Sequence, residues 1–254
     1  MPELPEVETV RLGLNQVTLN QPIVDIEVHL ERTVAYPAST TEFVTGLRGQ
    51  AIAHWHRRGK YLLAELSALE TAADHEVTTG GWLGVHLRMT GQLLWLSQSE
   101  PLQTHCRIRF LFDNGKELRF VDQRTFGQMW WVPPPGAPES IITGLQRLGP
   151  EPFSDTFSLD YLQQELARRH RPIKNALLDQ AIVAGLGNIY ADEALFLSRI
   201  HPTTWCDRLD HQALQQLHHH IIQVLRTSIM EGGTTFSDFR DVKGTNGNYG
   251  QMAW

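Results

Sequence analysis

Cysteine is nearly absent from this chain. Its 254 residues hold two, Cys106 and Cys206, far apart in sequence. No C-x-x-C pair and no disulfide framework can be drawn from them, and a reducing, cytoplasmic setting is the default. Long apolar runs are missing too, since none approaches the roughly eighteen residues of a membrane span. The N-terminus is acidic and lacks an apolar h-region, so it does not read as a signal peptide. Positive charge is in deficit, with a net charge of −6. That balance argues against a nucleic-acid partner unless the basic residues are clustered.

Two clusters exist, Arg57-Arg-Gly-Lys60 and Arg168-Arg-His-Arg171. By composition each reads as a solvated face. A hydrophobic content of 41% with 20% charged residues is that of a globular protein able to bury a core.

Residues 5–14 have helical periodicity, with Val7, Val10 and Leu14 on one side and Pro5 suited to a first turn. Residues 23–30 alternate, and Val24, Ile26, Val28 and Leu30 are the apolar set of a half-buried strand. Further strands are expected at 51–56, 61–66, 82–87, 92–96, 107–112, 117–121 and 128–132. Asp113-Asn-Gly115 marks a hairpin between two of them. Residues 67–81 read as an exposed loop. Many short strands indicate a β-sandwich or barrel.

The pattern changes near residue 133. Pro133–Pro138 is a loop, and Leu148-Gly-Pro-Glu-Pro-Phe153 resembles a linker. Helical periodicity follows at Leu159–Leu166, at 173–180, from Asn188, and from Asp210 to Met230, where Gly232-Gly233 supplies a stop. Residues 245–250 read as a flexible loop, and Gln251–Trp254 is an apolar end. Three units result: an N-terminal β domain over 1–132, a linker over 133–153, and a helical domain over 154–254. The cleft between domains is the expected ligand site.

Removal of Met1 would leave Pro2 as a secondary-amine terminus, followed at once by Glu3 and Glu6. A terminal amine titrates near 7.7–8.0, so more of it is neutral at pH 7 than of a lysine. Condensed with an aldehyde-level carbon, it acidifies neighbouring C–H bonds, and an adjacent carboxyl can move protons. Read alone, these residues also make an ordinary acidic helix start. Arg124 and Phe126 share a loop and one side of it, which suits a wedge that stacks and hydrogen-bonds in nucleic acid. Ala184-Gly-Leu-Gly-Asn188 precedes a helix N-terminus, where free N–H groups favour phosphate and Asn188 is placed to cap. His218-His-His220 faces three directions on a helix and reads as surface.

Taken together and in order, these stretches resemble the formamidopyrimidine-DNA glycosylase (Fpg/Nei) family. The carriers are Met1-Pro-Glu-Leu-Pro-Glu-Val-Glu-Thr-Val10, Arg58-Gly-Lys60-Tyr-Leu, His86-Leu-Arg-Met89-Thr-Gly, Asp122-Gln-Arg124-Thr-Phe126-Gly, Leu148-Gly-Pro-Glu-Pro, Ile173-Lys174-x-x-Leu-Leu-Asp-Gln and Ala184-Gly-Leu-Gly-Asn188-Ile-Tyr-Ala-Asp-Glu. The resemblance spans essentially the whole chain. It implies an α+β two-domain fold: an N-terminal β-sandwich with an N-terminal helix, and a C-terminal helical helix–two-turn–helix domain. It implies a bifunctional DNA glycosylase/AP lyase for oxidised purines, acting on double-stranded DNA as a monomer in the bacterial cytosol and nucleoid.

The resemblance also implies roles. Pro2 is the nucleophile toward C1′, Glu3 the proton donor and acceptor, Glu6 a supporting group and Lys60 a proton carrier in β-elimination and a phosphate contact. Met89, Arg124 and Phe126 fill the void left by an extruded base, which must leave the stack to be reached. His105, Arg169, Lys174 and Asn188 match DNA-contacting positions, although the local sequence at His105 diverges.

One feature departs from the pattern. The family carries one zinc ion in a C-terminal four-cysteine finger, whereas this sequence stops at Trp254 with its two cysteines elsewhere. Clustered ligands are required for zinc, so neither cysteine can replace the finger. Two other readings follow: a lesion-binding protein crippled in catalysis by loss of the finger, and an N-terminal-proline tautomerase. The Arg124/Phe126 wedge and the helical anion turn argue against the second.

Overall fold

The computed structural model describes residues 1–68, 79–235 and 239–251. Helix α1 (Leu4–Val17) opens the chain. Val7, Val10 and Leu14 are fully buried on one stripe, as the periodicity predicts, and each contributes about 2 kcal/mol by leaving water. The strands are β1 (Ile23–Val28), β2 (Val34–Tyr36), β3 (Gln50–Arg58), β4 (Tyr61–Ala68), β5 (Thr79–His86), β6 (Gly91–Ser97), β7 (Cys106–Phe112), β8 (Lys116–Asp122) and β9 (Gln128–Val132), with helix α2 (Thr40–Leu47) between β2 and β3. They form a four-stranded sheet, β1-β7-β8-β6, and a five-stranded sheet, β2-β9-β5-β4-β3. Inner faces of both sheets and α1 share one core, centred on Trp55, Phe43, Phe110, Phe112 and Phe120. This is the sandwich expected from many short strands.

The expected apolar stripe of β1 is displaced. A bulge lies between Ile23 and Asp25, so Ile23 and Ile26 point inward while Val24 is exposed. One extra residue flips every side chain that precedes it. The expected loop over 67–81 is also shortened, because residues 67–68 and 79–81 belong to β4 and β5; the part between lies outside the described residues. The 113–115 hairpin turn joins β7 to β8, with Gly115 at φ +75°.

After β9 come α3 (Pro138–Ile141), α4 (Leu159–Ala167), α5 (Ile173–Leu177), α6 (Asn188–Leu197) and α7 (His211–Met230). α5 ends three residues sooner than the 173–180 periodicity predicts. The carbonyl of Gln180 instead accepts the N–H of Gly149, and its side chain bonds Leu186 and Gly185. A second core joins α4, α5, α6 and α7 through Leu162, Leu166, Ile173, Leu177, Tyr190, Leu217 and Ile221. The predicted inward residues of α7, Leu214, Leu217, Ile221, Val224 and Leu225, are all buried.

The two cores exchange residues. Leu4 of α1 packs in the helical core, whereas Phe239 and Val242 pack against the sandwich. Residues 245–250 are tied down, contrary to their composition. Asn248 and Tyr249 donate to the carbonyls of Glu231 and Gly233, and Tyr249 is buried beside Tyr190.

Candidate active site

Pro2, Glu3 and Glu6 meet where α1 enters both cores, and all three are buried. Glu6, in the first turn of α1, accepts the Glu3 N–H at 2.7 Å. That bond fixes the peptide joining Pro2 to Glu3, and hence the direction of the proline nitrogen. The neighbouring Leu4 N–H donates to the Gly185 carbonyl at 3.0 Å, so the start of the chain is pinned to the 183–187 turn.

The turn before α6 does not do what its sequence suggested. Its free N–H groups meet a carboxylate of the same chain: Glu3 Oε1 accepts from Ile189 N at 3.0 Å. Gly187, not Asn188, occupies the cap position, and its side-chain-free face is where the Glu3 carboxyl sits. A Cβ on Gly187 would come within 2.3 Å of the Glu3 carboxyl carbon. Gly185, at φ +89°, similarly admits Leu4. Asn188 begins α6 with its side chain exposed and caps nothing.

Burial dominates the electrostatics. It pushes the Glu3 carboxyl up to about 7, although Lys60 and the backbone of α6 pull it down. Its second oxygen, Oε2, is buried with no hydrogen-bond partner among the described residues. Burial also raises Glu6. Lys60, 8% exposed, is lowered by burial against the charges of Glu3 and Glu6. The carboxyls are thus raised and the ammonium lowered, the directions that acid–base work near neutrality requires.

A pocket opens over the terminus, lined by Pro2, Glu6, Met89, Gln92, Ile189 and Thr234. Lys60 also lines a cleft with His86, Arg88, Arg147 and Asp179. Burial, then Arg88 and Lys60, hold His86 down to about 3, so its ring is neutral, and its Nδ1 accepts the Arg88 N–H.

Lys60 follows a turn that is clamped from behind. Glu151 accepts from Arg57, Arg58 and Gly59 N at 2.7, 3.0 and 2.6 Å. Arg57 also binds Glu8 at 2.9 Å, and Arg58 binds the Leu148 and Gly149 carbonyls. Burial would raise Glu8, but Arg11 and Arg57 outweigh it and hold the carboxyl low. The Arg57–Lys60 run is thus an internal fastening to the 148–153 segment, and the solvated-face reading of it is wrong.

Met89 and the Arg124/Phe126 loop stand together. Buried Asp122 accepts the Thr90 hydroxyl at 2.5 Å and the Gly127 N–H at 2.7 Å, and Thr90 Oγ1 accepts Arg124 N. The Arg124 guanidinium lies 5.2 Å from the Phe126 ring centre, and Phe126 is 52% exposed. An apolar ring held out in water beside a cation suits insertion into a stack. His105 is tied to the start of that loop, its carbonyl accepting the Asp122 N–H at 2.9 Å, while its Nδ1 faces Arg107 at 3.2 Å. Arg169 is paired with Glu165 and Lys174 with Asp192, each at 2.7 Å.

Asp122, Glu151 and Tyr190 stand inside the sequence motifs, but nothing in the spacing assigns them a task. Their partners lie too far along the chain for spacing to reveal. His218 and His220 are half-buried, bonded to the Phe157 carbonyl and facing Ser198, so only His219 fits the surface reading.

No zinc site fits these residues. Cys106 is buried in β7, its thiol pushed up to about 11, and Cys206 is buried elsewhere. Among the described residues no three His, Cys, Asp or Glu converge on a metal position. No helix among them is long and apolar enough to cross a membrane.

A β-sandwich and a helical unit that close together over buried Pro2, two carboxyls and a lysine define a two-domain α+β enzyme fold. Residues 1–129 match the formamidopyrimidine-DNA glycosylase N-terminal domain, and 148–240 match the helix–two-turn–helix domain of the same enzymes. The chain belongs to the formamidopyrimidine-DNA glycosylase family. It is 61% identical to the formamidopyrimidine-DNA glycosylase of Acaryochloris marina over 254 residues, all of this chain and 87% of that protein. It is 63% identical to that of Nostoc punctiforme, covering all of this chain and 84% of the relative. Its fold matches the Lactococcus lactis Fpg in complex with abasic-site DNA at a TM-score of 0.85 and 31% identity, covering 99% of this chain and 86% of that one.

Proposed function

We propose that this chain is a base-excision-repair DNA glycosylase and AP lyase. It removes oxidised purines such as 8-oxoguanine and formamidopyrimidines from double-stranded DNA and then cleaves the strand by β,δ-elimination. The observation that carries this reading is the convergence of buried Pro2, Glu3 and Glu6 with Lys60 at one point beneath a pocket. It is supported by relatives named formamidopyrimidine-DNA glycosylase across the full chain.

With Met1 removed, the Pro2 nitrogen attacks C1′ while the bond from C1′ to the base breaks. The base leaves with that electron pair and takes up a proton. Glu3, about half protonated near pH 7, delivers a proton to the ring oxygen as the sugar opens, leaving an iminium between Pro2 and C1′. The iminium acidifies the C2′–H, and Lys60 and Glu3 relay protons through the two eliminations. Glu6 holds the Pro2–Glu3 peptide in place.

Met89, Arg124 and Phe126 occupy the gap in the duplex. Arg169, Lys174, Asn188 and His105 contact the backbone. Phosphates displace Glu165 and Asp192 from their cations, which supplies local positive charge despite the net −6. The division into a catalytic sandwich (1–132), a linker (133–153) and a helical DNA-binding domain (154–254) fits this use, as does a monomer in the bacterial cytosol. No step uses zinc. The alternative of a lesion-binding protein without catalysis is not favoured, because nucleophile, acid and lysine are all assembled at the amino terminus.

Borohydride trapping on a duplex carrying 8-oxoguanine opposite cytosine tests the reading. A covalent adduct is expected from the wild type and not from Pro2→Gly. Lesion DNA bound but neither trapped nor cut by the wild type would overturn it.

A further inference from the structure

One carboxylate joins the nucleophile to the far end of the chain. Glu6 Oε2 accepts the Glu3 N–H. Its Oε1 accepts the Thr234 N–H at 2.8 Å and the Tyr190 hydroxyl in a short hydrogen bond. The Tyr190 oxygen is in turn 2.6 Å from Ser228 Oγ and 2.9 Å from Thr234 Oγ1. An ionised carboxylate only accepts, and a phenol has one hydrogen. With Glu6 ionised, Tyr190 therefore donates to it, and Ser228 and Thr234 donate to Tyr190. All four side chains are buried, so no water competes for these bonds.

The network meets three elements. Tyr190 is in the first turn of α6, Ser228 in the last turn of α7, and Thr234 pairs with Asn248 at the base of the segment between them. Gly233, at φ +83°, brings the chain against Glu6, where a Cβ would stand 3.0 Å from Oε1. Thr234 and Glu6 also line the pocket over Pro2. Any shift of residue 234 thus pulls on the same carboxylate that orients the Pro2–Glu3 peptide.

We propose that Tyr190 is a positioning residue for the proline nucleophile, holding Glu6, and through it the Pro2–Glu3 peptide, in the pose that sets the direction of the amine. The proposal rests on the reading of Pro2 as the nucleophile. It touches no substrate atom itself. Its loss should therefore slow chemistry and leave DNA affinity intact.

The test is single-turnover borohydride trapping on abasic-site and 8-oxoguanine duplexes, with DNA affinity and melting temperature measured alongside. Tyr190→Phe keeps the ring and removes the hydroxyl. It is expected to slow trapping on both duplexes about tenfold, the worth of one hydrogen bond to a charged group, with DNA affinity unchanged. Glu6→Ala combined with Tyr190→Phe should be no slower than Glu6→Ala alone, because the phenol acts only through that carboxylate. Ser228→Ala, which loosens the phenol without removing it, should slow trapping about threefold. It carries the test if Tyr190→Phe does not fold. Wild-type trapping rates in Tyr190→Phe, or in Ser228→Ala should the first variant not fold, or additive losses in the double variant, would overturn the proposal. A wild type that forms no adduct would instead strike the assignment of Pro2.

Discussion

Glu3 Oε1 accepts the backbone N–H of Ile189 at 3.0 Å, so a carboxyl from the first turn of the chain closes the N-terminus of α6. The helix dipole and free N–H groups, which could have held a phosphate, hold the enzyme's own acid instead. That placement binds the sandwich to the helical unit at the point where the chemistry is proposed.

The first consequence concerns pH. In the unfolded chain the Glu3 carboxyl titrates near 4.5, and in the fold near 7. Between those values the folded state holds more protons than the unfolded one, so stability falls as pH rises through the window. Below about 4.5 both states are protonated and the penalty is absent; above 7 it is complete, at about 3 kcal/mol. Glu3→Gln should therefore melt higher than the wild type at pH 8 and lose that advantage by pH 4.5, while its excision fails. Equal melting temperatures at pH 8 would show that burial of Glu3 carries no such cost.

Gly187→Ala should separate site from fold. The backbone there, at φ −137°, is one any residue adopts, so the damage comes from the Cβ meeting the Glu3 carboxyl at 2.3 Å. The carboxyl must shift and surrender the Ile189 bond. A displacement of about 1 Å at a reacting group can cost roughly 100-fold in rate. Single-turnover excision should fall by that order while duplex binding persists. A wild-type rate would place the working Glu3 carboxyl elsewhere.

These positions show what was legible beforehand. Pro2, Glu3 and Glu6 are adjacent, so local spacing revealed an amine beside carboxyls, and the helix was plain from Val7, Val10 and Leu14. The glycines at 185 and 187 are legible as a turn but not for their purpose, since what they admit arrives from residues 3 and 4, more than two-thirds of the chain away. Asn188 was read as a cap because its type favours caps; the cap position fell one residue sooner. The Arg57–Lys60 run was misread for the same reason: charge counts carry no information about Glu151, which neutralises it from beyond the sandwich. A bulge at Val24 obeyed the pairing of β1 with β7 and not the alternation along β1.

Asp192→Asn should tighten binding to DNA. Asp192 is half exposed and holds the Lys174 ammonium at 2.7 Å. Such an exposed pair is worth little to the fold, under about 1 kcal/mol, so stability should hardly change. A phosphate no longer has to displace a carboxylate from the cation, and one negative charge beside the duplex is gone. Affinity for undamaged and lesion duplexes alike should rise several-fold at low salt and converge with the wild type as salt is raised. Unchanged affinity at low salt would remove Lys174 from the DNA-contacting set.

Asp122→Asn probes the wedge through its support. One Asp122 oxygen takes the Thr90 hydroxyl and the other takes the Gly127 N–H, so a single buried side chain joins the loop carrying Met89 to the loop carrying Arg124 and Phe126. An amide has one accepting oxygen. With its oxygen kept toward Gly127 the amide can still donate its NH2 to the Thr90 hydroxyl, but that hydroxyl's own hydrogen loses its carboxylate acceptor and both ties become neutral hydrogen bonds. A donor left without its acceptor costs about 1–3 kcal/mol, so the tie between the loops should weaken. Melting should fall by a few degrees. Excision of 8-oxoguanine from a duplex, which requires the base to be displaced and the gap filled, should drop by about tenfold or more. Imine trapping on a pre-made abasic site in single-stranded DNA, where nothing has to be displaced, should be much less affected. Equal loss on the two substrates would mean that Asp122 serves the amine directly and not the wedge.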